Sequence, residues 1–542
     1  MPQPARPILG AACVLGAAFV VAGCSQDAAG HPAIASGPLE NAATVVPRPR
    51  PEASPRAVDA PVPTPASPAA VVTPREPLPR GARIHARARF AWIQAEPHAS
   101  RGWLGYLGLG GSVALRGGSV EAAKVLHSEG VSGCRAWYAV EPRGFVCDGD
   151  AATLDGDDPI VAALAAEAPR TDSPWPYDYG ESIGAPRYAR APTPEQQRRA
   201  EWDYAAQLER VAGARAGDAV AREIVGVDLT PPAADGRWPG PAAPRDWIEV
   251  SPLVREARVW IATGSTVAYT RQIELGGRTF LVSHDHALVP KDRVRPYPRS
   301  EFHGVELGGE TALPIAFFRK TPRPKYRRGD DGAFAPTDES WPRLAWVGLT
   351  GDQVKEGNHT FLATREPGVW VRASDAAVAR AAEMPAMARI SPSARKTWLD
   401  VSVLGGTLVA YEGDRPVFAT LISPGRGGVP EGDRDPLETA STPTGTFRVD
   451  GKFVTATMVS STNDLLVHAE VQYVQNFHGP HALHAAYWHD GWGEKKSGGC
   501  INLAPLDAQR MFAWGEPQVP EGWYGMRSVK EMGPATVVVV HK

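Results

Sequence analysis

With 542 residues, the chain is too long for one ordinary domain, and three or four are expected. Apolar and charged fractions of 43% and 22% are those of a soluble globular protein. A formal charge of −3 gives no electrostatic case for nucleic acid or for a strongly acidic partner.

Residues 1–24 are an address rather than part of a fold. Arg6 and the amino terminus supply positive charge, and the apolar run Ile8 to Ala22 is too short to span a bilayer comfortably. The run ends in Val21-Ala22-Gly23-Cys24, which resembles the bacterial lipoprotein cleavage box. That resemblance implies cleavage before Cys24, lipidation there and a membrane partner held through acyl chains. Ser25 rather than Asp follows the cysteine, so the expected location is the cell envelope, periplasmic and anchored to an outer membrane. Residues 25–80 read as a tether. Eleven prolines between Asn41 and Arg80, interleaved with Ala, Val, Thr and Ser, favour an extended spacer.

From 81 to 158, short aromatic-rich runs such as GWLGYLGLGGSVAL and CRAWYAVEP are split by Gly and Pro, the pattern of a small β-barrel. The layout resembles bacterial SH3-like domains. Cys134 and Cys147 flank a hairpin-like segment, and in an oxidising envelope they are expected to pair. Residues 159–252 read as a linker with one helix over 194–211, started by Thr193 as cap and Pro194 at the first helical position. Trp202, Ala205, Ala206 and Leu208 are its expected buried stripe. Residues 253–375 return to β modules, also SH3-like, with RQIELGGRTFLV as a hairpin turning at Gly276-Gly277. His284-Asp285-His286, beside a turn, is expected to be a solvated loop rather than a metal site. These modules would position the last domain or touch a cell wall.

In the last domain, apolar runs alternate with turn signals such as Glu412-Gly413-Asp414, which argues an antiparallel β-sandwich or barrel. Its chemistry concentrates in HALHAAYWHDGWGEKKSGGCINLAP, His481 to Pro505. A thiol is a strong nucleophile once deprotonated, and at an unperturbed pKa of roughly 8.5 it needs a base. His484, sixteen positions before Cys500, can take that proton and return it to a leaving amine. Backbone N–H groups around Gly498, Gly499 and Cys500 could hold an oxyanion. Ser497 and Asn502 bracket the turn; Ser497 is expected to orient it rather than react. Tyr473, Tyr487 and Trp488 are candidates for a substrate groove, with core packing the alternative. His478, His481 and His484 recur every third residue, but Gly479 and Pro480 break any helix that would gather them on one face, so no metal is expected. The cysteines sort into Cys13 and Cys24 for the leader and anchor, a Cys134–Cys147 pair, and a free Cys500.

These residues resemble the active-site signature of the L,D-transpeptidase catalytic domain (YkuD-like): a His, a spacer, then Ser/Thr-His-Gly-Cys, a hydrophobic residue and Asn or Arg. His484, Ser497, Gly499, Cys500, Ile501 and Asn502 match it, as do Thr442 to Val449 (TPTGTFRV), Trp398 to Ser423 and Leu503 to Trp514. The likeness covers residues 396–542. The chain departs at Gly498, where the family usually has His. The implied fold class is mainly β and multidomain, SH3-like barrels followed by a transpeptidase-type β-sandwich, with a short helical segment in the middle. The implied activity needs no cofactor. Cys500 would form a thioester on a peptidoglycan stem tetrapeptide, and a second stem would resolve it into a 3→3 cross-link. Alternatives are an L,D-carboxypeptidase, an enzyme attaching an envelope protein as acyl acceptor, or a wall-binding lipoprotein whose transpeptidase-like domain is weak or inactive.

Overall fold

The computed structural model describes residues 21–22, 81–98, 102–126, 133–225, 260–432, 434–459 and 466–542. Cys24, most of the leader and the whole 25–80 tether lie outside the described residues, as does 226–259. The fold is mostly β, in several sheets with few helices.

The first β unit packs Arg83–Ala86 between Ser112–Ala114 and Ala152–Thr153, against two antiparallel hairpins. The hairpins are Phe90–Gln94 with Trp103–Gly108, and Cys134–Ala139 with Phe145–Gly149. Strand alternation turns Ile84, Ala86, Ala91 and Ile93 inward onto Leu107, Val113 and Val146. Cys134 and Cys147 are disulfide-bonded across the second hairpin, with Cα atoms 5.7 Å apart.

This unit is not a separate bead. Gly525–Arg527 pairs with Tyr106 and Gly105 on one edge and with Gly451–Phe453 on the other. The sheet of the first unit therefore runs into the last domain. Trp523 and Met526 sit in the first unit's core, and Trp523 Nε1 donates to the Glu141 carbonyl.

The expected linker is largely structured. Asp158 caps a helix over Pro159–Ala166, and Asp178–Ser182 lies between Thr266–Leu275 and Val294–Pro296 in the middle sheet. Thr193 and Gln196 form the capping box of the next helix, which ends at Ala200. A second helix runs Tyr204–Ala216, so the single expected helix is broken at 201–203. The cause is Glu201. Its buried carboxylate accepts from Arg278 at 2.7 and 2.9 Å and from Arg293 at 2.7 Å. The buried face is accordingly Gln197, Glu201, Gln207, Val211 and Ala214. Trp202 is 89% exposed, and Ala205 and Ala206 face solvent, so the expected apolar stripe is corrected. A polar network, which a hydrophobic period cannot reveal, docks these helices.

Thr266–Leu275 and Arg278–Ser283 form the expected hairpin, with Gly276 and Gly277 at φ of 56° and 79°, the left-handed conformations such a two-residue turn needs. His284, Asp285 and His286 are buried rather than a solvated loop. Asp285 pairs with Arg187 and accepts from Ser283 Oγ. Among the described residues, no group of His, Cys, Asp and Glu could hold a metal ion.

A seven-stranded sheet follows between Ile315 and Ala379. The last domain then stacks two layers. One is Thr397–Ser402, Thr407–Glu412, Arg415–Leu421, Gly445–Arg448 and Val537–His541. The other is Gly451–Val459, Val467–His478, His481–Ala485 and Ile501–Leu503. Leu399, Val401, Leu408, Leu483, Ile501, Leu503 and Val538 fill the space between them. The helix Pro505–Trp514 follows directly on the strand that carries the Cys-bearing turn. Asp507 on it accepts from the Gly304 N–H at 2.9 Å and from Thr420 Oγ1 at 2.5 Å.

Candidate active site

The site lies where two short parallel strands meet. In their register Leu483 faces Ile501 and His484 faces Asn502. Paired residues point to the same side of a sheet, and residues two apart along a strand share that side. Leu483 and Ile501 point into the core. His484 and Asn502 therefore take the other face, and Cys500, two before Asn502, stands at its rim.

His484 is fully buried, and its Nδ1 lies 2.8 Å from the Ala485 carbonyl oxygen. A carbonyl can only accept, so Nδ1 carries the proton and Nε2 keeps its lone pair. Burial holds the imidazole well below its ordinary value, at about 4, with the carbonyl partly offsetting that effect. At neutral pH His484 is therefore an unprotonated, oriented base. Trp488 lies against it, with ring centroids 5.9 Å apart.

Cys500 is 1% exposed, and its Sγ is 3.9 Å from the Pro480 carbonyl oxygen. The expectation of a free thiol is corrected: Cys500 is disulfide-bonded.

Ser497 shapes the turn. Its Oγ donates to the Cys500 carbonyl at 2.5 Å and accepts from the Gly499 N–H at 3.1 Å. That second bond corrects one part of the expected oxyanion hole, because the Gly499 amide is already committed. Gly499 has φ of 130°, in the region that favours glycine, and a Cβ there would meet the Ser441 carbonyl oxygen at 2.9 Å. Neighbouring loops lock the turn from outside. Pro424 accepts from the Lys496 and Ser497 amides, and the Arg426 amide donates to the Ser497 carbonyl. Thr442 of the TPTG run accepts from the Gly425 N–H at 2.8 Å. Ser423 and Asn502 exchange backbone hydrogen bonds at 2.9 and 3.0 Å.

The three aromatic groove candidates are interior. Tyr473 donates its hydroxyl to the Ser173 carbonyl. Tyr487 stacks on Tyr179 at 3.9 Å and donates to the Ala469 carbonyl at 2.7 Å. Trp488 stacks on His468 at 4.3 Å. All three rings are buried, and the two tyrosine hydroxyls are hydrogen-bonded, which is core packing rather than the lining of a wet groove.

Two participants escaped the sequence. The Ala485 carbonyl that orients His484 belongs to the backbone and leaves no residue signature. His489 Nε2, 3.1 Å from the Asn502 side-chain amide nitrogen, was visible only as one more histidine of the cluster.

Comparison with protein families matches residues 396–540 to YkuD, the L,D-transpeptidase catalytic domain. That is a little over a quarter of the chain. Comparison with curated proteins finds no match. Among solved structures, an L,D-transpeptidase from Stackebrandtia nassauensis is 22% identical, with 28% of this chain and 60% of that one covered and a TM-score of 0.19. A cysteine-to-serine mutant of the Enterococcus faecium L,D-transpeptidase is 20% identical, covering 27% and 49%, with a TM-score of 0.20. An L,D-transpeptidase from Mycobacterium tuberculosis H37Rv is 17% identical, covering 39% and 71%, with a TM-score of 0.19. The chain thus spans less than two thirds of the first of these.

Proposed function

We propose that this chain, whose residues 396–540 form a YkuD-type L,D-transpeptidase catalytic domain, is a cysteine-dependent acyltransferase that acts on peptidoglycan stem peptides. The observation that carries the reading is the pairing of His484, oriented by the Ala485 carbonyl, with the strand that follows Cys500. The Cys500 thiol, once reduced, gives its proton to His484 Nε2 and attacks the carbonyl between the third stem residue, a meso-diamino acid, and D-Ala. The C–S bond forms, the C–N bond breaks, and His484 returns the proton to the leaving D-Ala amine. With the Gly499 amide engaged by Ser497, the neighbouring amides of Gly498 and Cys500 are the donors assigned to the oxyanion. An amine of a second stem then displaces the sulfur, giving a 3→3 cross-link. Hydrolysis would make the enzyme an L,D-carboxypeptidase, and a protein amine would make it an attachment enzyme.

The cellular setting is part of the proposal. Cleavage at Cys24 and lipidation would place the protein on an outer membrane facing the wall, with residues 25–80 as spacer. The β units at 81–158 and 253–375 would act as SH3-like modules that orient the catalytic domain.

The test is intact-mass spectrometry of the reduced full chain with a disaccharide-tetrapeptide donor and, separately, with a carbapenem, beside Cys500→Ala. An adduct on the native chain and none on the variant is expected. A folded protein whose thiol alkylates normally but acquires no adduct would overturn the reading.

A further inference from the structure

The nucleophile's turn is built on consecutive glycines, Gly498 and Gly499, which have little intrinsic preference for one conformation. A side chain from the neighbouring hairpin rests on it. His481 Nε2 lies 2.9 Å, and its Cδ2 3.0 Å, from where a Cβ on Gly499 would stand. The ring thus occupies the volume that a side chain at 499 would need. His481 is 3% exposed. Its Nδ1 is 3.2 Å from the His478 carbonyl oxygen, which fixes the proton on Nδ1 and leaves Nε2 as a bare acceptor. That Nε2 is buried without a hydrogen-bond partner. The next residue back, Pro480, presents its carbonyl to the Cys500 sulfur. The His478 ring stacks on the His481 imidazole, with ring centroids 6.1 Å apart.

An unpartnered buried acceptor opposes folding, and a phenylalanine would fill the same space without it. A nitrogen at this place therefore points to a donor that it meets in the working enzyme. We propose that His481 is a positioning residue for the nucleophile: it supplies, from the adjoining hairpin, the imidazole that braces the Gly498–Cys500 turn, and its Nε2 accepts a hydrogen bond from an N–H of the bound stem peptide or of the turn as it closes. Position 498 is where the chain departs from the motif it otherwise matches, so the brace comes from another strand. Burial lowers the His481 pKa, which keeps Nε2 unprotonated and able to accept. This inference rests on the proposed acyltransferase activity.

The test uses the reduced full chain and two rates, acylation by the tetrapeptide donor and alkylation of Cys500 by iodoacetamide. His481→Phe, which keeps the packing, is expected to retain its melting temperature within a few degrees. It should acylate at least ten-fold more slowly, with alkylation slowed in step. His481→Gln, which keeps an acceptor, should lose less than His481→Phe. His481→Ala should lose at least as much as His481→Phe, and adding Gly498→His to it should restore acylation to within about three-fold of native. The proposal is overturned if His481→Phe acylates at the native rate, or if the double variant is no faster than His481→Ala. If His481→Phe fails to fold, the double variant decides. If the native chain takes no donor at all, the proposed activity fails, and the alkylation rates of the variants still decide whether His481 braces the thiol.

Discussion

Ser497→Ala is the sharpest probe of how the nucleophile is held. The hydroxyl is 2% exposed and makes two bonds within one turn, to the Cys500 carbonyl and from the Gly499 amide. Removing it leaves a buried acceptor and a buried donor unsatisfied, at roughly 1–3 kcal/mol each. Some relaxation of a glycine turn offsets this, so a loss of about 2–4 kcal/mol is expected. Backbone bonds from Pro424 and Arg426 hold the outer part of the turn, so the domain should still fold. The catalytic cost is positional: a misplacement of about 1 Å can cost ~100-fold in rate. Denaturant titration of the full chain gives the stability term, and time-resolved intact mass with a carbapenem gives acylation. A variant that keeps its denaturation midpoint and acylates within three-fold of native would refute the claim that this hydroxyl builds the turn.

Two further perturbations test the surrounding structure. Five buried histidines are held below the ordinary 6.5 by burial: His284, His286 and His489 at about 3, His484 at about 4, and His481, which is lowered in the same direction. Their folded values lie below the unfolded one, so they contribute full stability above pH 6.5 and lose it as pH falls towards 4. For His484 alone the span is worth about 3 kcal/mol at roughly 1.4 kcal/mol per pH unit. Asp507, raised to about 6 by burial, works in the opposite sense, gaining stability as pH falls below 6. Urea midpoints that fall between pH 6.5 and 4 are expected, and midpoints flat or rising across that window would contradict these assignments. Glu201→Gln leaves Arg278 and Arg293 buried with a weakened partner and should cost about 3–5 kcal/mol. It should loosen the 194–216 helices in hydrogen exchange while acylation at Cys500 stays within two-fold. Unchanged exchange there would show that the break at 201–203 has another cause.

How much of this was legible in the sequence depended on whether the signal was local. The hairpin at Gly276-Gly277 and the cap at Thr193 are short-range, and both were readable. Cys500, His484 and Ser497 could be singled out as candidates because chemistry restricts their types and spacing. The arrangement of Glu201 with Arg278 and Arg293 was not, because three separated charges have no period. Nor was the burial of His284 to His286, whose cover comes from Arg187, Tyr177 and Glu470. Tyr473 and Tyr487 looked like groove residues because an amphipathic ring suits either place, and only their hydroxyl partners decide between them.

The strand Gly525–Arg527 has a consequence for the order of events. The first β unit precedes it by hundreds of residues, yet Trp523 and Met526 belong to that unit's core. A chain being synthesised from its amino terminus therefore cannot finish its earliest module until its latest segment arrives. Until then the Trp103–Gly108 strand stands with an open edge, available to holding factors or to a neighbouring chain. Proteolytic removal of the segment after Trp514 should then unseat both ends of the molecule at once. Quality control and catalytic competence would thus be read from a single late event, the seating of three residues.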